Sequence, residues 1–231
     1  VNPVHAAEPV PPLTPSPYLP ISRRYINFTY IRPEAIAEYG SLSAQDKAKV
    51  DQLHQEARKL NENPNRLDRD AMWDLKKPAL WTIFQAGLSS SRREAFEAYC
   101  KKEGEDLRAY AVWCLAYDKW GAPSDDPECW EKTYSKDSPE VAELCEKYPR
   151  LLEFYMWMEW IATDQLAQVQ QAARQAGIGH WHLSLAHDGG MAQAFVVAQA
   201  DHVDNDDDLT LSSQRSQART KQQIRSLRPA L

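Results

Sequence analysis

Several groups of residues have donor types suited to metal or phosphate chemistry, but their spacing does not supply it. His180-x-His182, with His187 beyond, offers imidazoles without a third element to complete a coordination sphere. Asp204, Asp206 and Asp208 copy the opening of a calcium loop. Leu209 then stands where the sharp turn needs glycine, and Arg215 where the bidentate glutamate belongs. Cys100, Cys114, Cys129 and Cys145 lie about one helix apart and never form the Cys-x-x-Cys pairs typical of zinc sites. They read as reduced structural thiols in a cytoplasmic protein, and no metal or cofactor is implied. Arg215, Arg219, Lys221, Arg225 and Arg228 are too sparse, beside an acidic run, for a nucleic-acid arm.

The elements around these residues belong to a globular chain. Its 231 residues are 43% hydrophobic, enough for one sizeable domain or two small ones. A net charge of −6 gives no electrostatic case for nucleic acid. No apolar run approaches the roughly 20 residues that cross a bilayer, and no charged start precedes an apolar core. The chain opens on Val1 in place of Met, which reads as processing or a missing beginning.

Three unequal parts follow. Residues 1–33 are proline-rich, with seven of the fifteen prolines before Ile21, and read as an extended, shaped loop. Its aromatics Tyr18, Tyr25, Phe28 and Tyr30 argue against disorder, and Asn27–Ile31 alternates as a strand does. Residues 34–178 are helical in pattern. Ser43 caps one helix, Ser91 with Glu94 opens another that is weak at Gly104, and Ser138-Pro139 starts a third. Pro149 opens a fourth, running to Gly177 with Phe154, Tyr155, Met158 and Ala162 on one face. Seven of the eight tryptophans fall between Trp73 and Trp160, a stripe that reads as core. Residues 179–231 differ: no tyrosine follows Tyr155 and no glutamate follows Glu159. That composition predicts little order.

In order and spacing, three segments over residues 1–178 resemble the bacterial 4-alpha-glucanotransferases (amylomaltases, glycoside hydrolase family 77). The first is Asn2-Pro3-Val4-His5-Ala6 with Pro15-Ser16-Pro17-Tyr18 through Ser22-Arg23-Arg24-Tyr25-Ile26-Asn27. The second is Asp68-Arg69-Asp70-Ala71-Met72-Trp73, continuing to Ala111-Val112-Trp113-Cys114. The third is Phe154-Tyr155-Met156-Trp157-Met158-Glu159-Trp160 with Asp164-Gln165-Leu166. The resemblance implies an α/β fold, part of a (β/α)8 TIM-type barrel with a large helical insertion, so this stretch is mainly α. It makes residues 1–26 an active-site loop, with Tyr18 lining a cleft for a maltooligosaccharide or 1,4-α-glucan. A tyrosine suits that role, with a flat face for a pyranose ring and a hydroxyl for its hydroxyls. Ser16 and Asn27 are its polar supports, and Arg23 and Arg24 brace the loop.

The implied reaction transfers a glucan segment with retention, through an aspartate nucleophile and a glutamate acid/base. In the family both lie downstream of the matched segments. After Ile178 nothing matches, Asp188 and Asp201 lack the right neighbours, and no glutamate remains. No catalytic residue is therefore assigned. The abrupt change near Gly179 reads as a shifted reading frame, which makes the chain an inactive fragment. A non-catalytic helical module that binds glucan or protein is the alternative, and a barrel completed by a companion segment is a third reading.

Overall fold

The computed structural model describes residues 4–14, 19–64, 67–123, 134–188 and 191–200. The chain divides into two compact units, Val1–Gln168 and Val169–Leu231.

The first unit is mostly helical. Its helices are α1 (Ala44–Lys59), α2 (Arg69–Gln85), α3 (Ser90–Trp120), α4 (Pro139–Lys147) and α5 (Pro149–Gln175), the last running on past the division between units. Local chemistry sets their ends. The Ser43, Asp68, Ser89 and Ser138 side chains each accept a backbone N–H of the first turn. The α3 cap is thus Ser89, two residues before the Ser91 expected from a capping box. Gly104 breaks α3 with φ +65°, at the weak point its sequence predicts. Gly177, at φ +81°, follows the end of α5.

The core is aromatic and lies between α2, α3 and α5. Trp73, Tyr155, Phe154 and Trp157 are fully buried, with Leu80, Ile83, Leu107, Leu115 and Ile161 around them. Trp160 is also buried, so for these tryptophans the core reading holds. Phe28, from the N-terminal segment, enters this cluster. Its ring lies 6.4 Å from Trp73, 6.1 Å from Tyr110 and 6.3 Å from Tyr155.

The N-terminal segment carries a small antiparallel pair, β1 (His5–Ala6) and β2 (Ser22–Ile26). The strand expected over 27–31 is not there. β2 ends at Ile26 and Phe28–Tyr30 is a 3₁₀ turn. Asn27 is the cause: its side-chain oxygen accepts the Thr29 N–H at 3.0 Å and turns the chain.

The second unit also differs from its sequence reading. Where residues 179–231 read as poorly ordered, β3 (Ile178–Asp188) and β4 (Met191–Ala200) form an antiparallel hairpin. Alternation of side chains, as in Trp181, His182, Leu183 and Ser184, outweighs the unfavourable average composition. Residues 201–231 lie outside the described residues.

Candidate functional site

Among the described residues of the segment from Val4 to Arg32, side chains from three helices hold Pro9, Leu13, Arg24, Ile26, Thr29 and Arg32. α2 presents Asp70, Trp73 and Lys77 from one face, at helical spacing. Asp70 Oδ1 accepts the Leu13 N–H at 2.8 Å, and Trp73 Nε1 donates to the Pro9 carbonyl at 3.0 Å. Lys77 Nζ donates to Asp118 Oδ2 at 2.7 Å and to Tyr155 Oη at 2.8 Å, and reaches Pro9 O at 3.5 Å. Tyr155 in turn donates to Asp118 at 2.5 Å, so α2, α3 and α5 share one polar knot beneath Pro9.

That knot is electrostatically consistent. Burial pulls the Lys77 ammonium below its ordinary range, with Asp118 opposing the shift. Burial would raise Asp118, but the charge and hydrogen bond of Lys77, with the Tyr155 hydroxyl, hold it below the usual carboxylate range.

The rest of the loop is held in the same manner. Glu8 accepts both the Thr14 N–H and the Thr14 hydroxyl. Ile21 N donates to Ala6 O, and Asn27 N to Val4 O, each at 2.9 Å. Lys76 Nζ donates to Thr29 O at 2.6 Å. On α5, Gln165 accepts from Arg32 N and donates to Arg32 O, both at 2.9 Å. Glu159 accepts the Ile26 N–H at 3.0 and 3.3 Å, and its own burial pushes its carboxyl up to about 8. Arg24 donates to Glu103 and Asp106 of α3, the brace expected of it.

Ser16 and Tyr18 lie outside the described residues. The structure describes both flanks of the segment that carries them: Thr14 tied to Glu8, and Ile21 tied to Ala6. Asn27 is buried and caps the 3₁₀ turn, which places it as a support of the loop. Of the metal candidates, His182 Nε2 lies 3.0 Å from Gln199 Oε1 across the hairpin. Among the described residues no cluster of His, Cys, Asp or Glu is arranged to hold a metal. Cys129, Asp201 and the Asp204–Asp208 run lie outside the described residues. Among the described residues no helix is long and apolar enough to cross a membrane.

Carboxylates surround this loop, yet each is engaged. Glu8 and Asp70 hold loop backbone, Asp118 holds Lys77, Glu103 and Asp106 hold Arg24, and Glu159 holds Ile26. A retaining pair needs two carboxyl groups about 5–5.5 Å apart and open to substrate. These carboxylates hold loop backbone or pair with Lys77 and Arg24 instead. A cavity of about 680 Å³ between α3, α4 and α5 is lined by Arg108, Lys136, Glu146, Cys145 and Met156 among others. Among the described residues its lining has no aromatic ring on which a sugar would stack.

The sequence profile of the 4-alpha-glucanotransferase family matches residues 1–182. The chain belongs to this family. A 4-alpha-glucanotransferase from Mycobacterium tuberculosis is 35% identical over 185 residues, covering 77% of this chain and 25% of that protein. The crystal structure of amylomaltase from Corynebacterium glutamicum superposes with a TM-score of 0.61 at 34% identity, over 76% of this chain and 23% of that one. The chain therefore spans about a quarter of the length of these relatives. A different protein also matches: a holo-[acyl-carrier-protein] synthase from Kocuria rhizophila is 38% identical over 61 residues, covering 22% of this chain and 50% of that protein.

The family resemblance visible in the sequence is thereby confirmed, while the residues that anchor the loop were not singled out there. Asp70, Trp73 and Glu159 are among the residues that carry the resemblance, whereas Lys77 falls between the matched stretches of the second segment. One signal was available for Glu159. An acid within the apolar run Phe154–Ala162 must be neutral or partnered when the helix is buried on that face.

Proposed function

We propose that residues 1–178 form one wall of the glucan cleft of a 4-alpha-glucanotransferase, in a (β/α)8 barrel whose helical insertion supplies α1–α5. Tyr18 stacks on a glucose ring of a 1,4-α-glucan, Ser16 bonds sugar hydroxyls, and Asn27 holds the turn that follows. The anchoring of the described flanks, Leu13 by Asp70 and Ile26 by Glu159, supports this reading, because pre-positioned flanks lower the entropy lost when glucan arrives.

The parent reaction moves a glucan segment to glucose or another 1,4-α-glucan with retention. Its nucleophile and acid/base come from outside residues 1–178, because the carboxylates beside the loop are engaged. This chain by itself binds glucan without turning it over. Free thiols at Cys100, Cys114 and Cys145 accord with a cytoplasmic location. Incubation of the chain with maltotriose tests the claim. Only unchanged maltotriose is expected; glucose together with longer maltodextrins would place the chemistry inside the chain.

A separate reading applies to the residues after Ile178. The glucanotransferase relative takes 77% of the chain and the synthase relative 22%, so the two matches together account for nearly all of it. Because the first family profile ends at residue 182, we infer that the synthase match belongs to the tail. A shifted reading frame would not resemble a second protein, so the tail is a piece of holo-[acyl-carrier-protein] synthase type joined near Gly177.

A further inference from the structure

α2 carries two partly buried lysines in succession, and their surroundings differ. Lys77 Nζ is in an ion pair with Asp118 Oδ2 at 2.7 Å. Lys76 Nζ donates instead to a neutral group, the Thr29 carbonyl at 2.6 Å, and Glu34 supports its charge only through space. Burial pulls the Lys76 ammonium below its ordinary range.

Lys76 also lines a cavity of about 50 Å³ between α1, α2 and the 3₁₀ turn Pro33–Ala35, which Lys77 does not line. Val50, Leu53 and Ala79 give it apolar walls, and Val50 and Ala79 are buried. Glu34 and His54 line it too, and both are exposed, so they mark its mouth. Arg32 holds Glu34 Oε1 there through Nε at 3.1 Å and Nη2 at 3.0 Å. A desolvated amine against an apolar wall, with no bonded carboxylate to keep it charged, is a nucleophile.

Size and charge select the electrophile. The cavity is smaller than the volume of two liquid waters, roughly 30 Å³ each, so a two-carbon acyl group fits and a sugar ring does not. An amide product is neutral, which suits the apolar walls, and it keeps one N–H for Thr29 O. A succinyl group or a carbamate would bring a second negative charge beside Glu34.

We infer that Lys76 is an acylation site that takes an acetyl group from an acyl phosphate. The neutral amine attacks the acyl carbon. The bond from that carbon to the phosphate oxygen breaks, and inorganic phosphate leaves with the electron pair. The surplus proton on nitrogen passes to water at the mouth. The site is independent of the glucan reading, because neither Ser16 nor Tyr18 takes part.

The experiment incubates the whole chain with acetyl phosphate at neutral pH and follows each lysine in time by mass spectrometry, in buffer and in urea. In buffer, Lys76 should be acetylated about tenfold faster than Lys77 and than the exposed Lys47 and Lys102, and urea should erase the difference. Ala57→Leu fills the cavity and should slow Lys76 without slowing Lys102. Acetic anhydride should favour Lys76 over Lys102, whereas succinic anhydride should not. Lys76 left unmodified while Lys102 reacts, equal rates in buffer, or a preference that survives urea would each overturn the inference. So would undiminished acetylation in a folded Ala57→Leu chain, or equal labelling of Lys76 by the two anhydrides. The rates in the wild type decide the matter if Ala57→Leu does not fold.

Discussion

The indole of Trp73, on α2, donates to the carbonyl of Pro9 at 3.0 Å, bridging 64 residues of sequence. Trp73 is buried, and Nε1–H is its only donor. Trp73→Phe keeps most of the apolar ring and removes that donor, leaving Pro9 O to Lys77 alone. The expected loss is about 1–2 kcal/mol in urea denaturation. Hydrogen exchange should show faster exchange at Leu13 and Thr14 while the interior of α5 stays protected.

Lys77 is the cation of the knot below Pro9. Lys77→Met leaves the partly buried Asp118 carboxylate with only Lys119 as counter-charge, at 3.7 Å and without the hydrogen bond, and a cost of about 2 kcal/mol is expected. Adding Asp118→Asn keeps an acceptor for Tyr155 and removes the stranded charge. The double variant should therefore be more stable than Lys77→Met alone, by chemical denaturation at neutral pH.

Glu159 makes stability fall as pH rises. Its carboxyl is raised from the ordinary 4.5 to about 8, because burial disfavours the ionised form. The unfolded chain releases this proton above the ordinary value while the folded chain keeps it until about 8. Stability is full below the lower value, declines between the two, and levels off above the higher. The slope is on the order of 1.4 kcal/mol per pH unit at its steepest. Melting curves of Glu159→Gln, compared with the wild type between these limits, should lose that part of the slope.

Arg92 grips Glu38 through Nε at 2.8 Å and a terminal nitrogen at 3.3 Å, and its guanidinium lies 4.1 Å from the Trp160 ring centroid. Glu38 is buried, so the pair ties the 3₁₀ turn Ala37–Ser41 to α3 and α5. Arg92→Lys keeps the charge but loses the planar fork and the stacking. It should cost about 1–2 kcal/mol by thermal unfolding.

The parts of this fold legible in the sequence are those fixed by near neighbours. Ser43, Ser138, Pro149 and Gly177 mark helix ends because a cap acts within a turn. The loop clamp was hidden because its partners are main-chain groups, and Pro9 O or Leu13 N has no signature letter. Asn27 misled the strand reading since a short polar side chain can capture a nearby N–H and turn the chain. The hairpin was legible in part. Gly189-Gly190 stands between two alternating runs, a recognised hairpin signal. Averaging composition over the whole tail concealed it. The family emerged from three short segments within residues 1–178.

The central claim is that the anchored loop presents Tyr18 to a glucan. Isothermal titration of the whole chain with maltoheptaose tests it most directly, in the wild type and in Tyr18→Ala. The account predicts saturable binding by the wild type, weakened at least tenfold in Tyr18→Ala, with both chains melting at the same temperature. Equal binding by the two chains, or none by the wild type, would contradict it.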